Sequence, residues 1–148
     1  MIQITYNRIA ATFHGNNLPY EVRCHVTSDS LCKEETDTLE LGLSSLSEGF
    51  WLSGAGIVES LKNYLEGKDT WEYEFKYYDA WLTAEDGGVS YAARFRYTGL
   101  RLSTQAARDF VRGWLECVHV PDGRDTLVKT MAWGKDDVRL TEPQTAWG

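Results

Sequence analysis

The sequence predicts an α+β domain, a mainly antiparallel sheet with two helices packed on one face. Three observations carry this prediction. Segments rich in Ile, Val, Thr, Tyr and Phe occur near the start, in the middle and near the end of the chain. Two other segments place apolar residues at helical spacing. Their order, β-β-β-α-β-β-α-β, lacks the strand-helix alternation of a parallel sheet.

Residues 2–13 and 18–27 read as paired strands, joined by the turn chemistry of "GNNLP". The polar stretch "SDSLCKEETD" reads as a loop. In "TLELGLSS" after it, Leu39, Leu41 and Leu43 alternate as in a half-buried third strand. After Ser53, residues Ile57, Val58, Leu61, Tyr64 and Leu65 form one apolar stripe, and Gly67 supplies the helix stop. A second helix carries Ala106, Ala107, Phe110, Val111, Trp114, Leu115 and Val118 on one side, with Ser103 or Thr104 as N-cap. "TLVKTMAW" reads as a last strand, and the tail after about residue 134 has few apolar anchors, which predicts a loosely held end to a single domain spanning 1–148.

The stretch Thr70 to Gly99 is dense in aromatics. Trp71, Tyr73, Phe75 and Tyr77 alternate with Glu72, Glu74 and Lys76, and the apolar parity then slips to Tyr78, Ala80 and Leu82. A two-residue turn at Asp86-Gly87 would place Leu82 opposite Tyr91, and a bulge near Tyr78-Asp79 would absorb the slip. That register puts Asp79 across from Arg94 and assigns most of the aromatics to the core. Trp81 is left on a charged outer face.

The net charge of −7 is unevenly distributed. Glu34 to Asp86 contains thirteen Asp or Glu against three Lys, a local balance of −10. Such a surface repels a phosphate backbone, which argues against nucleic acid and favours a basic protein as partner. Hydrophobic residues at 43% and charged residues at 25% are globular values. Neither a signal-peptide pattern nor an apolar run of membrane-spanning length is present, so a cytoplasmic protein without membrane contact is expected. Cys24, Cys32 and Cys117 suit reduced thiols better than a disulfide framework.

Catalytic signatures are sparse. "WLSGAGIVES" has a Gly-x-Gly before a helix but neither the third glycine nor a βαβ setting, so it does not read as a nucleotide site. Cys24-His25, Cys32 and Cys117-x-His119 lack the spacing of common zinc sites, so neither metal nor cofactor is expected. Paired carboxylates at Glu34-Glu35, Glu72-x-Glu74 and Asp136-Asp137, or Cys117 with His119, leave a small hydrolase as the alternative function. The more distinctive pattern is acid beside aromatic on one hairpin: Glu72, Glu74, Tyr78, Asp79, Trp81, Glu85 and Asp86 are the candidate partner-binding residues. A tryptophan ringed by charge suits the anchor of a protein contact, and Tyr78 or Trp51 could assist it.

The run "FWLSGAGIVESLKNYLEG", then "WEYEFKYYDAWLTAEDGGVSYAARFRY" and "LRLSTQAARDFVRGWLECV" resembles the small immunity proteins encoded beside bacterial polymorphic toxins, in particular the WapI-type group found with wall-associated and Rhs-type toxins. The resemblance spans Gly49 to Val118, roughly half the chain, and lies in layout. It implies an acidic α+β domain without catalytic residues that binds a toxin domain and blocks its active site. No contact residue transfers by alignment. An inhibitor of another class, such as a phage protein that blocks host defence, would share this composition.

Overall fold

The computed structural model describes residues 1–10, 20–54, 56–75, 78–83, 86–93, 96–120 and 123–140. The chain order is β1 (Ile2–Ala10), β2 (Tyr20–Ser28), α1 (Lys33–Leu52), α2 (Ile57–Leu65), β3 (Trp71–Phe75), β4 (Tyr78–Leu82), β5 (Asp86–Ala93), β6 (Arg96–Ser103), α3 (Thr104–His119), β7 (Thr126–Met131) and β8 (Val138–Leu140). The α+β class holds. Two antiparallel sheets replace the single one expected, with strand orders β2-β1-β7 and β3-β4-β5-β6-β8. Helices α1 and α3 each touch strands of both sheets and form a layer between them, while α2 packs on α3 and β3. Among the described residues, three helices, two of them covered on both sides, therefore stand where two helices on one face were predicted.

This middle layer is thin because small residues sit where sheet side chains press in. A Cβ on Gly113 of α3 would lie 2.5 Å from the Tyr6 hydroxyl, and one on Gly42 of α1 would lie 2.5 Å from Leu100 Cδ2. Tyr6 in turn donates to the Phe110 carbonyl at 2.9 Å and stacks on the Phe110 ring with centroids 5.5 Å apart. Phe50 of α1 meets Trp71 edge-on at 4.9 Å and Trp114 at 5.3 Å, which joins both helices to both sheets through one aromatic core.

The predicted third strand, "TLELGLSS", is the middle of the 20-residue α1, and the predicted loop before it already holds the first turns of that helix. Leu39, Leu43, Leu46 and Phe50 follow helical spacing and are fully buried, whereas Leu41, which the strand reading turned inward, is 39% exposed. Glu35 accepts from the Cys32 backbone N–H at 3.1 Å and closes a capping box at the start of α1. The polar residues Glu40, Ser44 and Ser47 form a separate stripe along the free edge of β2. Val26 N–H donates to Glu40 Oε1 at 2.8 Å, while the Ser44 and Ser47 hydroxyls donate to the carbonyls of Cys24 and Val22 at 3.2 and 2.6 Å. The helix thereby satisfies a sheet edge that would otherwise be open.

The aromatic stretch is a four-strand meander in place of one bulged hairpin. Phe75 pairs with Tyr78 and Ala93 with Arg96, so β3 and β4 form one antiparallel pair and β5 and β6 another. The parity slip at Tyr78 marks a strand end. Leu82 pairs with Gly87 and Asp79 with Ser90, which moves the register by four residues from the predicted one. Asp86 and Gly87 lie within β5. Gly87 is there for a close approach, since a Cβ would meet Leu82 Cδ2 at 2.6 Å and the Ala107 side chain of α3 at 3.0 Å.

Helices α2 and α3 match their predicted spans. Gly67 takes φ +76° just past α2, and the Ser103 hydroxyl caps α3 by accepting from Ala106 N–H at 3.1 Å. The chain after residue 134 is held to Leu140, contrary to expectation. β8 pairs with β6, and Asp137 accepts from the Ser103 hydroxyl at 2.7 Å and from Gly134 N–H at 2.8 Å. Residues 141–148 of the predicted loose tail, and residues 11–19 where the first two strands were expected to turn, lie outside the described residues. Among the described residues no helix is long and apolar enough to cross a membrane.

Candidate functional site

Strand alternation gives β3 and β4 two distinct faces. Trp71, Tyr78, Ala80 and Leu82 are buried against the helix layer, and Glu72, Glu74, Asp79 and Trp81 emerge on the other side. The register makes these four immediate neighbours, with Glu72 opposite Trp81 and Glu74 opposite Asp79. Trp81 keeps its ring half-exposed and packed over Gly88, its partner on β5, where a Cβ would come within 2.7 Å of Trp81 Cζ2. Bare backbone at Gly88 thus forms the seat of the indole. Three exposed carboxylates and a braced aromatic make one continuous patch.

The row through Trp81 continues across the sheet. Glu72 faces Trp81, which faces Gly88, then Arg101 on β6, then Arg139 on β8. Both arginines are exposed, so the outer face is acidic at β3 and β4, aromatic at its centre and basic toward β8. Arg101 and Arg139 carry no sequence signal of this face, because the segment that forms β8 has few apolar anchors. Their positions on this face depend on long-range pairing that no local pattern encodes.

The other predicted site residues separate. Tyr78 is 5% exposed and points into the helix layer, so it leaves the patch; burial, with Glu48 nearby, pushes its hydroxyl well above the usual tyrosine range. Trp51 is likewise buried within α1 and offers no surface anchor. Asp86 is placed by its backbone in β5 opposite Ser103, and Glu85 lies outside the described residues. On the helix side of the sheet, Glu48 of α1 has its carboxyl raised by partial burial and by Glu21.

The described cysteine and histidine residues do not converge. Cys24 faces inward on β2 while its neighbour His25 points outward and meets Glu40 at 2.6 Å. Cys32 is exposed at the start of α1. Cys117 is fully buried, its thiol pushed up to about 11 mainly by burial, whereas the His119 ring sits on the Leu115 carbonyl at the exposed end of α3. A nucleophile needs accessible thiolate, which this burial opposes. Among the described residues no three His, Cys, Asp or Glu side chains gather in a metal-binding group. The carboxylate pairs have structural uses in Glu35 and Asp137, whose acids are held below their usual ranges first by backbone N–H donors.

Comparisons with protein-family models, curated proteins and solved structures find no match to this chain.

Proposed function

We propose that the chain is an immunity protein that binds a basic bacterial toxin domain through the Glu72, Glu74, Asp79 and Trp81 face and occludes its active site in the cytoplasm. The observation that carries the reading is the clustering of those four side chains, the cross-strand pairs Glu72–Trp81 and Glu74–Asp79, with the tryptophan seated on Gly88. The carboxylates steer a basic partner and set the on-rate, and the indole supplies the desolvated contact that slows release. The local balance of −10 between Glu34 and Asp86 extends the same field. The hydrolase alternative draws no support from Cys117 and His119, one buried and one turned to solvent.

The test is calorimetric titration with the toxin C-terminal domain encoded beside the gene, at low and at high salt. Tight binding that weakens with salt is expected. Absence of heat at both salts removes that neighbour as the target, and tight binding indifferent to salt removes the acidic face as its interface.

A further inference from the structure

The two edges of the three-stranded sheet are treated differently by the fold. At the β2 edge, the outward groups of Val22, Cys24 and Val26 meet Ser47, Ser44 and Glu40 of α1. Residues 21, 23, 25 and 27 therefore turn toward β1, where their partners are Ile9, Asn7, Thr5 and Gln3. That leaves Ile2, Ile4, Tyr6 and Arg8 to face β7, as the bond from Arg8 N–H to the Asp125 carbonyl at 2.6 Å shows. Their β7 partners are Met131, Lys129 and Leu127. By alternation the backbone groups of Thr126, Val128 and Thr130 point away from the sheet, along an edge that no described strand pairs.

Among the described residues, the usual safeguards of an open edge are missing along this strand. Thr126–Met131 contains neither proline nor glycine, and its register with β1 runs without a bulge. The one lysine, Lys129, turns to the helix side and is held by Glu116 of α3 at 2.7 Å. All three outward-facing residues, Thr126, Val128 and Thr130, are exposed, Val128 at 50%.

We propose that β7 pairs antiparallel with β7 of a second copy, about a twofold axis at Val128, to make one continuous six-stranded sheet. The sequence is self-complementary in that register, since Val128 meets Val128 of the other copy and Thr126 meets Thr130. The charges agree as well. The strand lies outside the acidic Glu34–Asp86 segment, and the axis brings together two Lys129–Glu116 pairs, each of mixed sign. Each hydrogen-bonded pair exchanges two bonds between backbone groups that no described strand pairs. The Trp81 face belongs to the other sheet and stays open for a partner.

Sedimentation velocity of the full chain over a concentration series tests this. A monomer–dimer equilibrium is expected, and Val128→Lys should weaken it at least about tenfold, by ~1.4 kcal/mol or more, with an unchanged circular dichroism spectrum. In a Cys32→Ser background, Val128→Cys should give a disulfide-linked dimer on oxidation, and Thr27→Cys on β2 should not. A wild-type chain that stays monomeric at its highest soluble concentration overturns the proposal and leaves the edge to an extended segment of another protein. A dimer that Val128→Lys does not weaken overturns it equally.

Discussion

Trp81 rests on Gly88 so closely that a Cβ on that glycine would lie 2.7 Å from Cζ2 of the indole and 2.5 Å from the Leu100 carbonyl oxygen. The glycine fixes the height and tilt of Trp81 on the acidic face, and it is held by both neighbouring strands. Trp81→Ala combined with Glu72→Lys removes the anchor and reverses a charge without touching the buried side of the sheet. We expect a melting temperature close to wild type and at least about a hundredfold loss of toxin affinity, the size of an interface hot spot of about 3 kcal/mol. Thermal unfolding and calorimetry read the two separately. Loss of folding with binding retained in the folded fraction would reverse the face assignment.

The three thiols should react in a fixed order. Cys32 is exposed, whereas Cys24 and Cys117 are buried and burial raises both thiols, Cys117 to about 11. Under native conditions at pH 8, iodoacetamide should add one group per chain, at Cys32, and three groups only after unfolding. Intact mass spectrometry counts them. Rapid native modification of Cys117 would return the cysteine hydrolase to consideration.

The helices α2 and α3 were legible because their apolar stripes repeat at one period and their stops are local, at Gly67 and Ser103. The α1 segment was not, because Leu39, Leu41 and Leu43 satisfy a two-residue period and Leu39, Leu43, Leu46 and Phe50 satisfy a helical one. Only the exposure of Leu41, a tertiary fact, separates the readings. Asp86-Gly87 carried the sequence signature of a tight turn, yet Gly87 serves the contact of β5 with Leu82 and Ala107. Between the paired ends Phe75 and Tyr78, and between Ala93 and Arg96, the sequence has no glycine, asparagine or proline to signal a break between strands. Glu72, Glu74, Asp79 and Trp81 were nonetheless placed on one outer face, since alternation within a short strand survives an error in where its hairpin turns.

The anchorage of β8 should depend on acid. Gly134 N–H first, and the Ser103 hydroxyl second, hold the Asp137 carboxyl below its ordinary value of 3.8. A carboxyl depressed in the folded state stabilises the fold above its unfolded value, and that contribution is lost as pH falls through the lower folded value. The amides of Gly134 and Ser103 should therefore keep their native shifts at pH 5 and move together below about 3.8. Asp137→Asn should remove the transition from both amides in an NMR titration. A transition that persists in the variant would assign it to another group, such as Glu35 at the start of α1, whose acid is also lowered.

Ser47 ties three elements together. Its hydroxyl donates to the Val22 carbonyl of β2 at 2.6 Å and accepts from Trp114 Nε1 of α3 at 2.9 Å, all fully buried within the helix layer. Ser47→Ala removes one small group and strands two buried partners, and each such loss costs about 1–3 kcal/mol. Chemical denaturation should show a loss of about 2–4 kcal/mol with the m-value unchanged. Ser44→Ala is the control, because Ser44 is half-buried and makes a longer bond of 3.2 Å to the Cys24 carbonyl alone, so its loss should stay near 1 kcal/mol. Hydrogen exchange should show the Ser47 variant opening first along β2, the strand whose outer edge is satisfied by α1 side chains. Equal costs for the two serines would mean that water or a rearranged neighbour serves Val22 and Trp114 as well as the hydroxyl does, and that the edge of β2 is held chiefly by the apolar side of α1.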